Sequence, residues 1–148
     1  MTCIVGLIEN NELWMGSDIQ GSDTSGLKLQ RKDVKIFKKS SFLISFCGSY
    51  RLGQLIRYEF EIPSVNDEDA VTYMVCSFVK ELRVLIEKSG VVKTENNIIS
   101  LEGSLLCGFY DSTSTARLFT VNTDLQVSEY VDNYASEGSG RDFALASL

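Results

Sequence analysis

Apolar positions along this chain follow two rhythms: short runs at strand spacing in the first and last thirds, and steps of three and four residues between them. Cys3 to Ile8 is a mostly apolar, β-branched run, closed by the polar cluster Glu9-Asn10-Asn11-Glu12 and followed by Leu13 to Gly16, which predicts a hairpin. A strand apolar on nearly every residue is one buried on both faces. Val34 to Phe37 and Phe42 to Cys47 predict a second strand pair across Lys38-Lys39-Ser40-Ser41. Between the pairs, Gly21-Ser22-Asp23-Thr24-Ser25-Gly26 reads as a turn-rich loop, without the Gly-Lys-Ser/Thr ending of a phosphate loop.

The helical rhythm begins after Gly48, which permits a tight strand-to-helix junction. Ser49 is placed to cap a helix running through Phe60, with Leu52, Leu55, Ile56 and Phe60 on one face. Pro63 ends that element, and Ser64 or Asn66 is expected to start a longer helix. Its apolar stripe is Val71, Met74, Val75, Phe78, Val79, Leu82, Leu85 and Ile86, with Asp67, Glu68 and Asp69 at its positive end and Gly90 closing it. From Gly103 the strand rhythm returns in Ser104 to Tyr110, Ala116 to Val121 and Leu125 to Val131. Gly138-Ser139-Gly140 then reads as a loop feeding a short helix from Arg141 that stops at Leu148. Strands and helices gathered in blocks define an α+β arrangement rather than an alternating parallel sheet.

Composition narrows the classes of function. A chain of 148 residues, 44% hydrophobic and 23% charged with one proline, is expected to form one folded domain over 1–148. Its net charge of −6 argues against nucleic acid or an anionic membrane surface as partner, since both select basic patches. The absence of histidine removes every histidine-based triad, base and metal site. Cys3, Cys47, Cys76 and Cys107 form no CxxC pair and are expected to be buried free thiols. No signal-like core or bilayer-length apolar run is visible, which makes the cytoplasm the expected location.

The candidate chemistry lies at the start of the chain. With Met1 removed, Thr2 presents a hydroxyl nucleophile and its own α-amine as base. An α-amine titrates near pH ~8, and a neighbouring cation lowers that value because like charge disfavours the ammonium form. Taken singly, the surrounding residues have ordinary readings. Asp18 suits a turn beside Gly21, Lys35 competes with Lys28 and Lys32, and Gly-Ser-Gly suits any loop.

Their order is distinctive. A Thr-x-Ile-Val opening, an Asp closing the second apolar run (Asp18), Val34-Lys35-Ile36, a strand ending in Cys47-Gly48-Ser49, and a late Gly138-Ser139-Gly140 resemble proteasome β-subunits and the bacterial HslV peptidase across nearly the whole chain. The resemblance implies an N-terminal-nucleophile hydrolase fold, an αββα sandwich of two mainly antiparallel sheets between helical layers. It implies Thr2 as nucleophile, Lys35 beside the amine, Asp18 holding both, Gly48 N–H as oxyanion donor and Ser139 near the amine. Gly21 and Ser22 would line the substrate groove, and Tyr50 stands near the specificity pocket where the family has a small residue. Peptide or unfolded-protein substrates, a homo-oligomeric ring, an ATP-driven unfoldase partner and no metal or organic cofactor are implied in the same way. The family continues beyond Gly-Ser-Gly with further helices and strands, so the second helical layer is expected to be incomplete here. A catalytically silent ring subunit and an amidase acting on small amides are alternatives with the same fold.

Overall fold

The computed structural model describes residues 2–22, 25–90, 93–95 and 98–147. Met1, Asp23 and Thr24 of the expected loop, and Leu148 lie outside them. The first hairpin joins β1 (Ile4–Glu9) to β2 (Glu12–Ser17) in the register Glu9↔Glu12. Its turn residues Asn10 and Asn11 take φ values of 51° and 62°, the left-handed pair that a tight right-twisted hairpin requires and that asparagine tolerates. The Asn11 side chain then fastens the turn to the far sheet, accepting from Ala116 N–H at 2.8 Å and donating to the Ser114 carbonyl at 2.9 Å.

The chain between the first two predicted strand pairs is not simply a loop. Gln20–Ser22 (β3) and Lys28–Gln30 (β4) pair as a small antiparallel ribbon. Next come β5 (Ile36–Lys39) and β6 (Phe42–Gly48), then α1 (Tyr50–Tyr58), whose N-cap is Ser49, accepting from Arg51 N–H at 3.2 Å. Leu52, Leu55, Ile56 and Phe60 are all buried, as the pattern predicts.

The long helix departs from expectation in its start and its face. It begins at Ala70, with Asp69 as N-cap accepting from Val71 N–H and Thr72 N–H at 3.1 Å each, so Asp67 and Glu68 precede the helix instead of occupying its first turn. A single α turn, α2 (Ala70–Thr72), widens into π turns over Tyr73–Phe78 before α3 (Val79–Ser89) resumes and Gly90 closes it in the left-handed conformation. The π turns rotate the apolar stripe. Tyr73, Met74, Phe78, Leu82 and Ile86 face the core, while Val71 and Val75 are 44% and 50% exposed. Tyr73 compensates for its buried hydroxyl by donating to the Pro63 carbonyl at 2.7 Å.

A two-stranded ribbon, β7 (Lys93–Glu95) and β8 (Ile98–Ser100), leads into β9 (Gly103–Tyr110), β10 (Ala116–Val121), β11 (Val127–Glu129) and β12 (Tyr134–Glu137), and the chain ends in α4 (Arg141–Leu145). The third late strand is shorter than Leu125 to Val131, and β12 has no counterpart in the predicted elements. Its four residues alternate too little for sequence to distinguish strand from loop.

Strand order defines two antiparallel sheets, β11-β10-β9-β6-β5 and β12-β1-β2. They face each other over Ile4, Leu106, Leu118 and Ala135, with Ile8, Leu13 and Met15 at the margin. Gly6 lets them close, since a Cβ there would stand 3.0 Å from both the Leu106 and the Leu118 side chains. The other face of the larger sheet carries the main core, in which Phe42 stacks on Phe109 at 4.4 Å and on Phe78 at 5.5 Å beneath the helices. This is the α+β sandwich that the resemblance implies, and among the described residues the outer side of the smaller sheet carries just the five-residue α4. The thiols correct a further expectation. Cys107 is buried, and burial pushes its pKa up, but Cys3 and Cys47 are half-buried and Cys76 is exposed on the solvent side of the π segment. No helix among the described residues is long and apolar enough to cross a membrane.

Leu82 and Val75 share one helical segment but differ in burial, which makes them a matched test of this packing. Leu82→Ala should destabilise by about 2–5 kcal/mol, and Val75→Ala by less than about 0.5 kcal/mol, as measured by urea unfolding.

Candidate active site

Pairing of β1 with β12 places Ile4 opposite Glu137, so Thr2 and Cys3 run directly past the Gly138-Ser139-Gly140 loop. Gly140 N–H donates to the Thr2 carbonyl at 2.9 Å, and the Thr2 nitrogen stands 3.1 Å from Ser139 Oγ. Gly138 makes the approach feasible. It adopts φ +92°, and a Cβ at that position would collide with the Thr2 carbonyl.

On the other side of β1, pairing with β2 brings Asp18 up beside Cys3. Asp18 N–H donates to the Cys3 carbonyl at 3.1 Å, and the Asp18 carboxylate accepts from Cys3 N–H at 2.8 Å and from Gln20 N–H at 2.9 Å. Lys35 enters from just ahead of β5, one residue before the strand rather than inside it as the sequence suggests. Its carbonyl accepts from Phe46 N–H at 3.2 Å, and Arg57 of α1 holds the preceding turn by donating to the Val34 carbonyl at 2.8 Å. The Lys35 side chain is 2% exposed, and its Nζ donates to Thr2 Oγ1 at 2.9 Å and to Asp18 Oδ2 at 2.8 Å. Lys28 and Lys32, its competitors in the sequence, are both exposed.

The electrostatics follow from these contacts. Partial burial pulls the Asp18 carboxyl upward, but the Lys35 hydrogen bond, the two backbone N–H donors and the lysine charge together outweigh it and hold the group below the usual carboxylate range. Asp18 is therefore an anion at neutral pH, and it compensates the buried Lys35 cation while leaving a further Nζ proton directed at the threonine hydroxyl.

Four residues singled out from sequence, Thr2, Asp18, Lys35 and Ser139, thus form one hydrogen-bonded group. Gly48 stands apart from those bonds, exposed at the end of β6 with φ +96°, where a Cβ would strike the Glu102 carbonyl. Among the groove candidates, Gly21 is buried in β3, Ser22 is exposed at its end, and Tyr50 is half-buried at the start of α1. Sequence reasoning did not anticipate a polar chain beside the loop. There Cys47 Sγ and Ser104 Oγ lie 2.9 Å apart, and Ser104 donates to Glu137 Oε2 at 2.6 Å, which ties the residue before Gly138 to β6 and β9. Three residues this far apart in the chain leave no spacing signal.

No family model matches the chain, and no curated protein does. Solved structures do. BPH from Thiobacillus denitrificans, determined in complex with epoxomicin, is 16% identical over 97% of this chain and 75% of its own, with a TM-score of 0.76. Anbu, an ancestral beta-subunit from Yersinia bercovieri, is 13% identical over 95% of this chain and 61% of its own, at 0.66. Eukaryotic HslV from Trypanosoma brucei is 16% identical over 97% and 75%, at 0.59. Identities this low establish the fold and nothing finer. The fold is that of the proteasome-like N-terminal-nucleophile hydrolases.

Because the folded Asp18 pKa is depressed, its contribution to stability is fully present above the unfolded carboxylate pKa and is lost as pH falls through the folded value. Urea midpoints of the native chain and of Asp18→Asn should therefore differ at pH 7 and converge below the ordinary carboxylate range. A gap that persists unchanged into acid would contradict the pairing.

Proposed function

We propose that this chain is a threonine-type peptidase that hydrolyses peptide bonds through an acyl-enzyme on Thr2 once Met1 is removed. The observation that carries this reading is the Lys35 ammonium, buried and 2.9 Å from Thr2 Oγ1. A buried cation is costly to maintain, and a structural ion pair with Asp18 gives no reason to aim the same nitrogen at a hydroxyl.

In the proposed reaction Thr2 Oγ attacks the substrate carbonyl carbon while its proton passes to the α-amine of the same residue. Lys35, donating to Oγ, lowers the cost of developing negative charge on that oxygen, and its charge depresses the amine pKa so that a neutral fraction is available. Asp18 is a positioning residue for Lys35. Ser139 fixes the Thr2 nitrogen, and Gly48 N–H stabilises the oxyanion of the tetrahedral intermediate. Collapse of the intermediate expels the amine half of the substrate with the proton held by the α-ammonium. Water then attacks the ester, the amine again accepting a proton, and Oγ leaves as the hydroxyl. The chemistry calls for neither metal nor organic cofactor. The same reading carries a homo-oligomeric ring as the assembled form, with peptides or unfolded chains as substrates and an ATP-driven unfoldase as a partner. Retention of Met1 would yield the silent alternative, since an amide nitrogen has no lone pair available to take the proton.

Thr2→Ala should abolish peptide hydrolysis with the circular-dichroism spectrum unchanged, Thr2→Ser should retain measurable turnover, and Lys35→Ala should reduce turnover to background. Fluorogenic peptide assays on the purified chains measure all three. Hydrolysis by Thr2→Ala at the native rate would contradict the assignment, and normal rates for Lys35→Ala would remove the lysine from it.

A further inference from the structure

The side chains that meet between the two sheets change character at the end nearest Thr2. Residues two apart on a strand share a face, so toward the start of β9 Leu106 of the inter-sheet core gives way to Ser104. Toward the end of β12, Ala135 gives way in the same manner to Glu137. Cys47, the register partner of Ser104 on β6, packs at the margin of the same core. A cavity of about 470 Å³ borders Cys47, Ser104, Glu137 and Gly138. Apolar packing thus stops one step short of Thr2, and polar side chains take over the joint.

That joint is a hydroxyl held between a thiol and a carboxyl group. Ser104 is 6% exposed and Glu137 7%, and Ser104 Oγ donates to Glu137 Oε2 at 2.6 Å, while Cys47 Sγ stands 2.9 Å from the same hydroxyl oxygen. Taking a carboxyl group out of water is costly even when it is hydrogen-bonded, and the chemistry proposed for Thr2 makes no use of this one. The three residues are distinguished by their neighbours in the chain. Cys47 immediately precedes Gly48, and Ser104 immediately follows Gly103, the register partner of Gly48. Glu137 immediately precedes Gly138, and the next residue, Ser139, has its Oγ 3.1 Å from the Thr2 nitrogen. Gly48 and Gly138 lie so close to the Glu102 and Thr2 carbonyls, respectively, that neither has room for a Cβ. A displacement of Ser104 against Glu137 therefore passes along tightly seated backbone to Gly48 on one side and to Thr2 on the other.

Resting on the peptidase reading above, we propose that Ser104 and Glu137 are positioning residues of the reaction. Their hydrogen bond across the sheets sets the distance between Gly48, the oxyanion donor carried by the larger sheet, and Thr2 with Ser139, carried by the smaller one. Lys35 also crosses between the sheets at this end, but its side-chain bonds go to Thr2 Oγ1 and Asp18. The placing of Gly48 against the Gly138-Ser139-Gly140 loop falls to Ser104 and Glu137. Charge develops on the substrate oxygen in the transition state, so a misplaced Gly48 N–H is felt there and little in the bound substrate.

The test compares the native chain with Ser104→Ala, Glu137→Ala and Glu137→Gln. Each protein is assayed for kcat and KM on a fluorogenic peptide and for affinity toward a peptide aldehyde of the same sequence. The aldehyde adds to Thr2 Oγ as a hemiacetal and so places its oxygen where the oxyanion develops. Ser104→Ala should lower kcat at least about tenfold, as a displacement of a fraction of an ångström at a reacting centre does. Its KM should stay within about twofold of native, and its aldehyde affinity should fall by the same factor as kcat/KM. Glu137→Gln, which keeps an acceptor for the Ser104 hydroxyl, should recover most of the kcat that Glu137→Ala loses. If Glu137→Ala does not fold, Ser104→Ala and Glu137→Gln decide the matter between them. A merely structural joint would reduce the fraction of active molecules, which lowers the apparent kcat and leaves the aldehyde affinity unchanged. That outcome, or a native kcat in Ser104→Ala, would overturn this inference and leave the peptidase reading standing. Absence of both hydrolysis and aldehyde binding in the native chain would overturn both.

Discussion

A lysine ammonium taken almost wholly out of water is the constraint from which the rest of this architecture follows. Lys35 is tolerable at 2% exposure because Asp18 supplies a full negative charge at 2.8 Å and Thr2 Oγ1 accepts a second hydrogen bond at 2.9 Å. Those partners come from different elements: Thr2 from the start of β1, Asp18 from the end of β2, and Lys35 from the approach to β5. Each must be delivered to within a few tenths of an ångström, since hydrogen-bond energy falls steeply with distance and angle. The two backbone N–H donors on Asp18 keep its carboxylate aimed and ionised, and so keep the Lys35 nitrogen held between Asp18 and the Thr2 hydroxyl.

The two cores divide the work of delivery. The aromatic stack of Phe42, Phe78 and Phe109 fixes β6 and β9 to the helices, and Arg57 and Lys39 tie α1 back to the β5 edge through the Val34, Ile56 and Arg57 carbonyls. The smaller core beneath Ile4 and Ala135 sets the height of β1 above the larger sheet. Because β1 is paired on both sides, with β2 and with β12, Thr2 is pinned between Asp18 and the Gly138-Ser139-Gly140 loop. The Cys47–Ser104–Glu137 chain braces that loop from below, linking the smaller sheet to the larger one at the end where Thr2 sits.

What sequence could disclose was the local part of this design. The Asn10-Asn11 turn, the Ser49 cap and the stripe of Leu52, Leu55 and Ile56 each depend on residues a few positions apart, and each forms as its pattern implies. The group Thr2, Asp18, Lys35 and Ser139 was visible through its ordered resemblance, since no spacing rule connects residues up to 137 positions apart. Periodicity failed where a π segment changed the angle per residue, which moved Val71 and Val75 to solvent, and where β12 and β3 were too short to carry a period. The stacking of Arg31 on the Tyr50 ring was equally hidden. Arg31, Asp33 and Tyr50 are unremarkable individually, and they act together because Gly21 leaves room for two side chains to stack over it.

The proposed reaction requires Thr2 to act as a nucleophile through its hydroxyl together with its own free amine. Intact mass of the natively expressed chain, before and after treatment with a peptide epoxyketone, tests both groups at once, because the reagent closes a ring using a hydroxyl and an adjacent amine. The expected result is loss of Met1 and a single adduct that maps to Thr2 and disappears in Thr2→Ala. Retained Met1 with no adduct would contradict it.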